Sequence, residues 1–371
     1  MVRLADIAKR AGVSQGTVSA VLSGGTKGNI RVSPEKRERI LAIAKEMKYI
    51  PNFSAQKLSG QSSHTIGVLV DSEDAAVRFR QLAAIEREAD RRGYRILVAE
   101  THDNPEKLLL ACRTLFQYGV DAVVSPANDA SEEQKKLGRI VFYGGEAVDG
   151  YPSVYSDIAS GYAEAAAQFA CEKRKNPALL LAENYEAYDT LRARRSAFLS
   201  LFPALEANIL SLPPLPDSTE EKRRIFASIA EQVIARGFDA LLLQNDFCAL
   251  SLCSELLRRG KKIPEEISLV GQDNAEFCSC VYPALSTIDS NLELFAEAVV
   301  ELALERMRNP ESPVRSIAVP AKLIKRESTQ TIRGENTGEE ERWKRKKQNA
   351  GIEKVIASAD GTFCRNLYDG E

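Results

Sequence analysis

Residues 4–24 read L-A-D-I-A-K-R-A-G-V-S-Q-G-T-V-S-A-V-L-S-G, and their spacing decides the fold of the start of the chain. Leu4, Ile7, Ala8 and Ala11 recur at helical intervals and predict a short helix over Leu4–Ala11. Gly12-Val13-Ser14 makes a tight turn, with Gly12 free to take positive φ and Ser14 placed as an N-cap. A second helix is expected from Gln15 to about Leu22, ended by Gly24-Gly25. Helix, Gly-containing turn and helix form a helix-turn-helix unit. Val18, Val21 and Leu22 share one side of the second helix and face the core. Gly16, Ser19, Ala20 and Ser23 share the other, with Gln15 at its edge: a small, polar face able to enter a major groove. A third helix is expected from Ser33, with Pro34 at N1, to about Lys48, and Ile40, Leu41, Ile43, Ala44 and Met47 supply its buried stripe. Pro51 ends the unit. Residues 52–58 are too few for a stable isolated helix, and Gly60-Gln61-Ser62-Ser63 is a linker.

Charge supports a nucleic-acid partner. The 371-residue chain carries a formal net charge of −2, yet residues 1–60 hold eleven Lys/Arg against four Asp/Glu. A basic head on an acidic body puts the head on phosphate and keeps the body off it. The length exceeds one compact core and implies two or three folding units. No apolar run approaches the roughly 20 residues of a membrane span and no signal-peptide pattern opens the chain, so a cytoplasmic protein without a membrane partner is expected. Of the seven cysteines only Cys278 and Cys280 lie close together, and there are two histidines. Free core thiols and no structural metal are expected.

The 4–24 stretch, followed by R-V-S-P-E-K-R-E-R-I from Arg31 and Y-I-P-N-F-S-A-Q-K-L from Tyr49, closely resembles the lactose/galactose repressor family. The resemblance implies that Asn52–Leu58 is a hinge helix that folds on DNA beside its two-fold mate. Leu58 then occupies the position that wedges into the central minor-groove step. The DNA contacts it implies are Ser14, Gln15, Gly16, Thr17, Ser19, Ala20, Ser23, Asn52, Ala55, Lys57 and Leu58. One departure concerns specificity: the family usually has arginine where this chain has Ala20, and often a larger polar residue at Gly16. Ala20 forgoes a bidentate guanine contact, and its methyl suits a thymine.

From Thr65 short apolar runs alternate with amphipathic helices. The runs are Ile66–Val70, Arg95–Ala99, Ala122–Ser125 and Ile140–Tyr143, then Ala178–Leu181, Asn208–Leu212, Ala240–Leu243 and Ser268–Val270. The helices between include Val77–Arg92, Pro105–Tyr118, Ile158–Glu172 and Thr219–Arg236. This alternation predicts parallel sheets covered on both faces, in two similar lobes, with ligands bound beyond the C-terminal strand ends. I-P-E-E-I-S-L-V-G-Q-D-N and V-P-A-K-L-I-K-R-E-S-T extend the resemblance to about Thr329, so the body resembles the family's effector domain and periplasmic sugar-binding proteins. The family's chain crosses between lobes three times, here near Asp157, Pro283–Ile288 and Val319.

The expected architecture is an all-α helix-turn-helix head over 1–50, a hinge and linker over 51–63, and a two-lobed α/β periplasmic-binding-protein-like effector domain over 64–329. Its first lobe takes about 64–157 and 286–318, its second about 158–285 and 319–329. Residues 330–371, with an acidic triplet and then a basic run, read as a mobile tail. Strand ends nominate Asp71, Asn245 and Asp273 as ligand contacts in an inter-lobe cleft, and the resemblance adds Arg194 as the effector anchor. Asp246 reads as a helix cap instead. The family's stacking aromatic is missing near Ser218-Thr219-Glu220, and Gly144 stands where some sugar-responsive members have aspartate.

Together these features describe a homodimeric repressor of a pseudo-palindromic double-stranded DNA operator, switched by a small molecule such as a sugar or sugar derivative. No cofactor is called for. A sugar-binding protein without DNA function would have no use for residues 1–60. An enzyme would need a constellation absent here: there is no G-x-x-x-x-G-K-[ST], no G-x-S-x-G and no H-E-x-x-H, and His102 has no evident nucleophile partner. A phosphoprotein effector acting on a lobe surface stays open.

Overall fold

The computed structural model describes residues 2–22, 32–49, 62–70, 75–101, 104–127 and 131–329. Ser23, Asn52, Ala55, Lys57, Leu58, Asp71 and the 330–371 tail lie outside the described residues. The chain divides into two compact units. One takes residues through Asp157 together with Asn291–Val319; the other takes Ile158–Ser290 and the described residues from Pro320 onward.

The first unit opens with α1 (Leu4–Ala11), α2 (Gln15–Leu22) and α3 (Pro34–Glu46). Gly12 takes φ 67° at the end of α1, where only a residue without Cβ avoids strain. The Ser33 hydroxyl accepts the Lys36 N–H at 3.4 Å and caps α3. Lys48, at φ 49°, has left the helix, which therefore stops two residues short of the expected end. Ile7, Ala8, Ala11, Val18, Val21, Ile40 and Ala44 form the core of the head. Leu41, expected in that stripe, is 46 % exposed instead, because Ile40 and Ala44 already fill the side facing α1 and α2.

The same unit continues with β1 (Thr65–Val70), α4 (Ala75–Arg91), β2 (Arg95–Glu100), α5 (Pro105–Tyr118), β3 (Ala122–Pro126), α6 (Glu132–Lys135), β4 (Ile140–Gly144) and β5 (Ser153–Asp157). After the excursion into the other unit it regains α11 (Leu292–Arg308) and β11 (Ser316–Pro320). The sheet runs β11-β5-β4-β3-β1-β2. Alternate residues of β1 serve opposite faces: Ile66 and Val68 pack with Ile85 and Phe295 under α4 and α11, and Leu69 packs with Leu108 and Leu115 under α5. Burial on both faces accounts for the unbroken apolar runs. β2 is the exception, an edge strand with Leu97 and Val98 exposed.

Glu88 on α4 accepts from Arg91 at 2.7 Å and from Arg92 at 2.6 Å. The Arg91 hydrogen bond, opposed by burial and helped by Arg92, lowers its carboxyl from 4.5 to about 2. A carboxyl depressed in the folded state stabilises fully above its unfolded value and loses that contribution as pH falls from about 4.5 towards 2. Glu88→Gln should therefore flatten the acid limb of the stability–pH curve over that window, by lowering stability at neutral pH while leaving it nearly unchanged near pH 2. Urea unfolding midpoints between pH 2 and 7 check it.

The second unit holds α7 (Ile158–Cys171), β6 (Pro177–Ala182), α8 (Asp189–Leu201), β7 (Ile209–Leu212), α9 (Thr219–Ala235), β8 (Ala240–Leu243), α10 (Asp246–Arg258), β9 (Ser268–Gln272), β10 (Ser286–Asp289) and β12 (Lys322–Ile324). Its sheet runs β12-β10-β9-β8-β6-β7, with β12 antiparallel to β10 and the other registers parallel. Tyr162, Phe198, Val270 and Ile288 fill the layer under α7 and α8, and Phe226, Leu241, Leu252 and Leu269 the layer under α9 and α10. The second crossing, expected within Pro283–Ile288, falls after Ser290, because Ser286–Ile288 pair with Val270–Gln272 and hold the chain in this sheet. Val319 ends the first unit rather than opening the return to the second. Cys112, Cys248, Cys253 and Cys278 are buried free thiols, whereas Cys171 and Cys280 are exposed and correct the expectation of core placement.

Candidate functional site

Two sets of residues carry the chemistry. In the head, the Ser14 hydroxyl accepts the Thr17 N–H at 3.2 Å and lies 2.9 Å from the Thr17 hydroxyl, so both side chains are engaged in starting α2. Gln15, Gly16 and Ser19 are exposed along α2 and Thr17 is half-buried. Ala20 departs from the expectation. It is only 9 % exposed, although it is not among the residues of the three-helix core. Its short methyl is withdrawn from the outward face, so the exposed reading surface narrows to Gln15, Gly16 and Ser19. Around it Arg3, Lys9, Arg10, Lys36, Arg37, Arg39, Lys45 and Lys48 are all exposed. Arg10 is partly engaged, in an ion pair with Glu46 that ties α1 to α3.

In the second unit the candidate residues sit at the ends of β8 and β9 and in the first two turns of α7, α8 and α10. Asn245, expected to touch ligand, is the N-cap of α10: its side chain accepts the Cys248 N–H at 2.9 Å. Asp246, expected to be the cap, is instead 2 % exposed and bonded across the fold. It accepts from the Thr287 hydroxyl at 2.6 Å and from the Ala275 N–H at 2.7 Å. Asn245 rather than Asp246 is the cap because it has the extended backbone that capping needs.

Asp273 follows β9 with φ 97°, and Asn274 follows at φ 49°. The turn is held by the Asp273 N–H donating to the Ile288 carbonyl at 2.8 Å and by Arg326 donating to Asn274 Oδ1 at 2.7 Å. Two left-handed residues in succession are costly away from glycine, and they aim the Asp273 carboxylate towards α8. There Arg194 Nη2 lies 4.0 Å from Asp273 Oδ1, with both side chains 9 % exposed. Arg194 Nε–H has no partner among the described residues. Arg194 and Asp273, both expected to touch ligand, are thus neighbours, and both belong to the second unit. Two buried polar side chains went unnoticed in the sequence, Tyr162 on α7 and Gln272 at the end of β9. Gln272 carried a signal, as the polar residue ending an apolar strand; Tyr162 carried none.

Three α-helices whose second presents a small polar face amid exposed Lys and Arg of the other two, joined to two lobes of parallel sheet with polar strand ends, make up a DNA-binding regulator with a ligand-binding body. Residues 3–52 match the bacterial regulatory proteins of the lacI family, and residues 161–329 match the periplasmic binding protein-like domain. The chain is 28% identical over 333 residues to the ribose operon repressor of Bacillus subtilis (strain 168), spanning 89% of this chain and 99% of that one. It is 25% identical over 339 residues to the HTH-type transcriptional repressor PurR of Escherichia coli O139:H28, spanning 88% and 97%. The fold is similar to that of the lac repressor dimer bound to operator and the anti-inducer ONPF, with a TM-score of 0.75 and 24% identity over 89% of this chain and 99% of that one. The head is thus a lacI-family DNA-binding domain and the body is periplasmic binding protein-like, and the relatives matched over nearly the whole chain are transcriptional repressors, not enzymes. Among the described residues no helix is long and apolar enough to cross a membrane.

Proposed function

We propose that this repressor acts in the cytoplasm as a homodimer on a pseudo-palindromic operator and is switched by a sugar or sugar derivative anchored on Arg194 and Asp273. The buried arginine with an unpartnered Nε–H beside a buried carboxylate carries the ligand half of this reading. Such a pair offers donors in a planar fork and acceptors in a fixed place, which suits a polyol. The ribose operon repressor supports a sugar. On the DNA side Gln15 is the only long polar side chain exposed on α2, and it suits a bidentate contact to adenine N6 and N7. Residues 52–58 are proposed as the hinge, with Leu58 as the wedge. Ligand shifts the equilibrium between operator-competent and operator-incompetent states by no more than its differential affinity for them.

Selection from random duplex DNA with the full-length protein should return a two-fold-symmetric site. Fragment 1–60 should bind that site at least about 100-fold more weakly than the whole chain, because a dimeric body makes the second head's binding intramolecular. Equal affinities for fragment and whole chain, or an asymmetric selected site, would remove the dimeric reading.

A further inference from the structure

Among the described residues six buried side-chain atoms lack a hydrogen-bond partner. Ser63 Oγ, Gln134 Oε1 and Ser312 Oγ are in the first unit. The other three, Tyr162 OH, Arg194 Nε and Gln272 Oε1, are in the second unit, where Arg194 lies 4.0 Å from Asp273, the residue that follows Gln272. Their residues are 1 %, 7 % and 1 % exposed. Tyr162 stands in the second turn of α7, Arg194 in the second turn of α8, and Gln272 closes β9. All three therefore lie at the C-terminal edge of the sheet, where sheets of this class take their ligands. They also share a face. Val270 packs in one layer with Tyr162 and Phe198, and Gln272, two residues on, points the same way. Burial pushes the Tyr162 phenol above its ordinary value; the Arg194 charge lowers it and the Asp273 charge raises it, so the hydroxyl sits within the field of both.

We infer that Tyr162 and Gln272 are specificity residues of the effector site, which with Arg194 and Asp273 receive an uncharged, hydroxyl-bearing segment of the ligand. This rests on the effector reading above. Unpaired buried polar atoms are rare because each forfeits its bonds to water, and three together imply a shared partner. The partner must accept from Arg194 Nε–H and donate to Gln272 Oε1, while Tyr162 OH does either. A hydroxyl meets all three demands; a phosphate or carboxylate cannot donate to Gln272. The opposite charges of Arg194 and Asp273, 4.0 Å apart, also leave little net field for an anion, and the Asp273 carboxylate would oppose one.

The test uses the full-length protein and four probes, D-ribose, D-xylose, D-glucose and cellobiose, in calorimetric titrations of wild type, Arg194→Ala, Tyr162→Phe and Gln272→Met, with melting curves recorded without sugar. A sugar that binds wild type should bind Tyr162→Phe and Gln272→Met at least about tenfold more weakly, since a site built for hydroxyls loses most when its partner is removed. Their sugar-free melting midpoints should hold or rise, because each change deletes an unpaired buried group. Unchanged sugar affinity in both variants overturns the inference, and the effector reading survives if Arg194→Ala still loses the sugar. A fall in the sugar-free midpoint of Tyr162→Phe and Gln272→Met overturns it as well, by giving those groups a structural partner. Failure of every probe to bind wild type overturns the effector reading and this inference with it.

Discussion

Arg194→Ala is expected to abolish the response of operator binding to ligand. Its side chain is 9 % exposed and stands 4.0 Å from the equally buried Asp273 carboxylate. Truncation removes the cation beside that carboxylate together with the ligand's donor fork, a combined loss of roughly 3–5 kcal/mol, or more than about a hundredfold in ligand affinity. Asp273→Ala should do the same from the other side. Neither change touches Gln15, Gly16 and Ser19, the exposed face of α2 proposed to meet DNA, so ligand-free DNA binding should survive. Fluorescence anisotropy on the selected operator, with and without ligand, measures both quantities. A folded variant that still responds at the wild-type ligand concentration would return that residue to a structural role.

Gly271→Ala should be the most damaging single methyl in the second lobe. A Cβ there would lie 2.3 Å from Asp246 Oδ1 and 3.1 Å from the Ala249 Cβ. The carboxylate cannot step aside without releasing both the Thr287 hydroxyl and the Ala275 N–H. Overpacking together with loss of charge-assisted hydrogen bonds amounts to about 3–5 kcal/mol, a fall in the melting midpoint of roughly 6–12 °C. Gly67→Ala is the natural comparison. Its Cβ would meet Leu115 Cδ1 at 2.9 Å, the end of a side chain that can rotate, so its cost should be clearly smaller. Equal midpoints for wild type and Gly271→Ala would mean that the Asp246 carboxylate is not held in place.

The two lobes were legible because burial on both faces writes itself as runs such as V-V-S and L-L-L, and because Asn104-Pro105 and Ser218-Thr219 start helices by their own chemistry. Ser153–Asp157, Ser286–Asp289 and Lys322–Ile324 were not legible as strands. Each is short and half polar, and its state is set by the neighbour it pairs with; missing the second of them put the chain crossing too early. In the head a helical wheel put Ala20 on the outward face of α2, where it is only 9 % exposed, because a wheel says nothing about what covers a small side chain. Asp246 was misread as the cap because Asn and Asp both cap well, and the bond that holds it elsewhere comes from Thr287, 41 residues away. Asp273 was nominated by its place at a strand end and Arg194 through a resemblance; no local pattern links an arginine on α8 with an aspartate beyond β9.

The return of the chain to both sheets near its end has a consequence for synthesis. Ser328 donates its hydroxyl to the Leu269 carbonyl at 2.7 Å and accepts the Ser286 N–H at 2.8 Å, and β12 closes the margin of β10. The first lobe likewise waits for α11, whose Phe295 and Val299 belong to its core, and for β11. On the ribosome neither lobe can therefore be finished in turn, because segments at 291–329 complete both. Until those segments emerge, β5 and β10 are open strand margins of the kind that pair with a neighbouring nascent chain. The last part of translation is thus the interval in which this repressor depends most on chaperones, and excising either lobe as one continuous piece of sequence would reproduce that exposed state permanently.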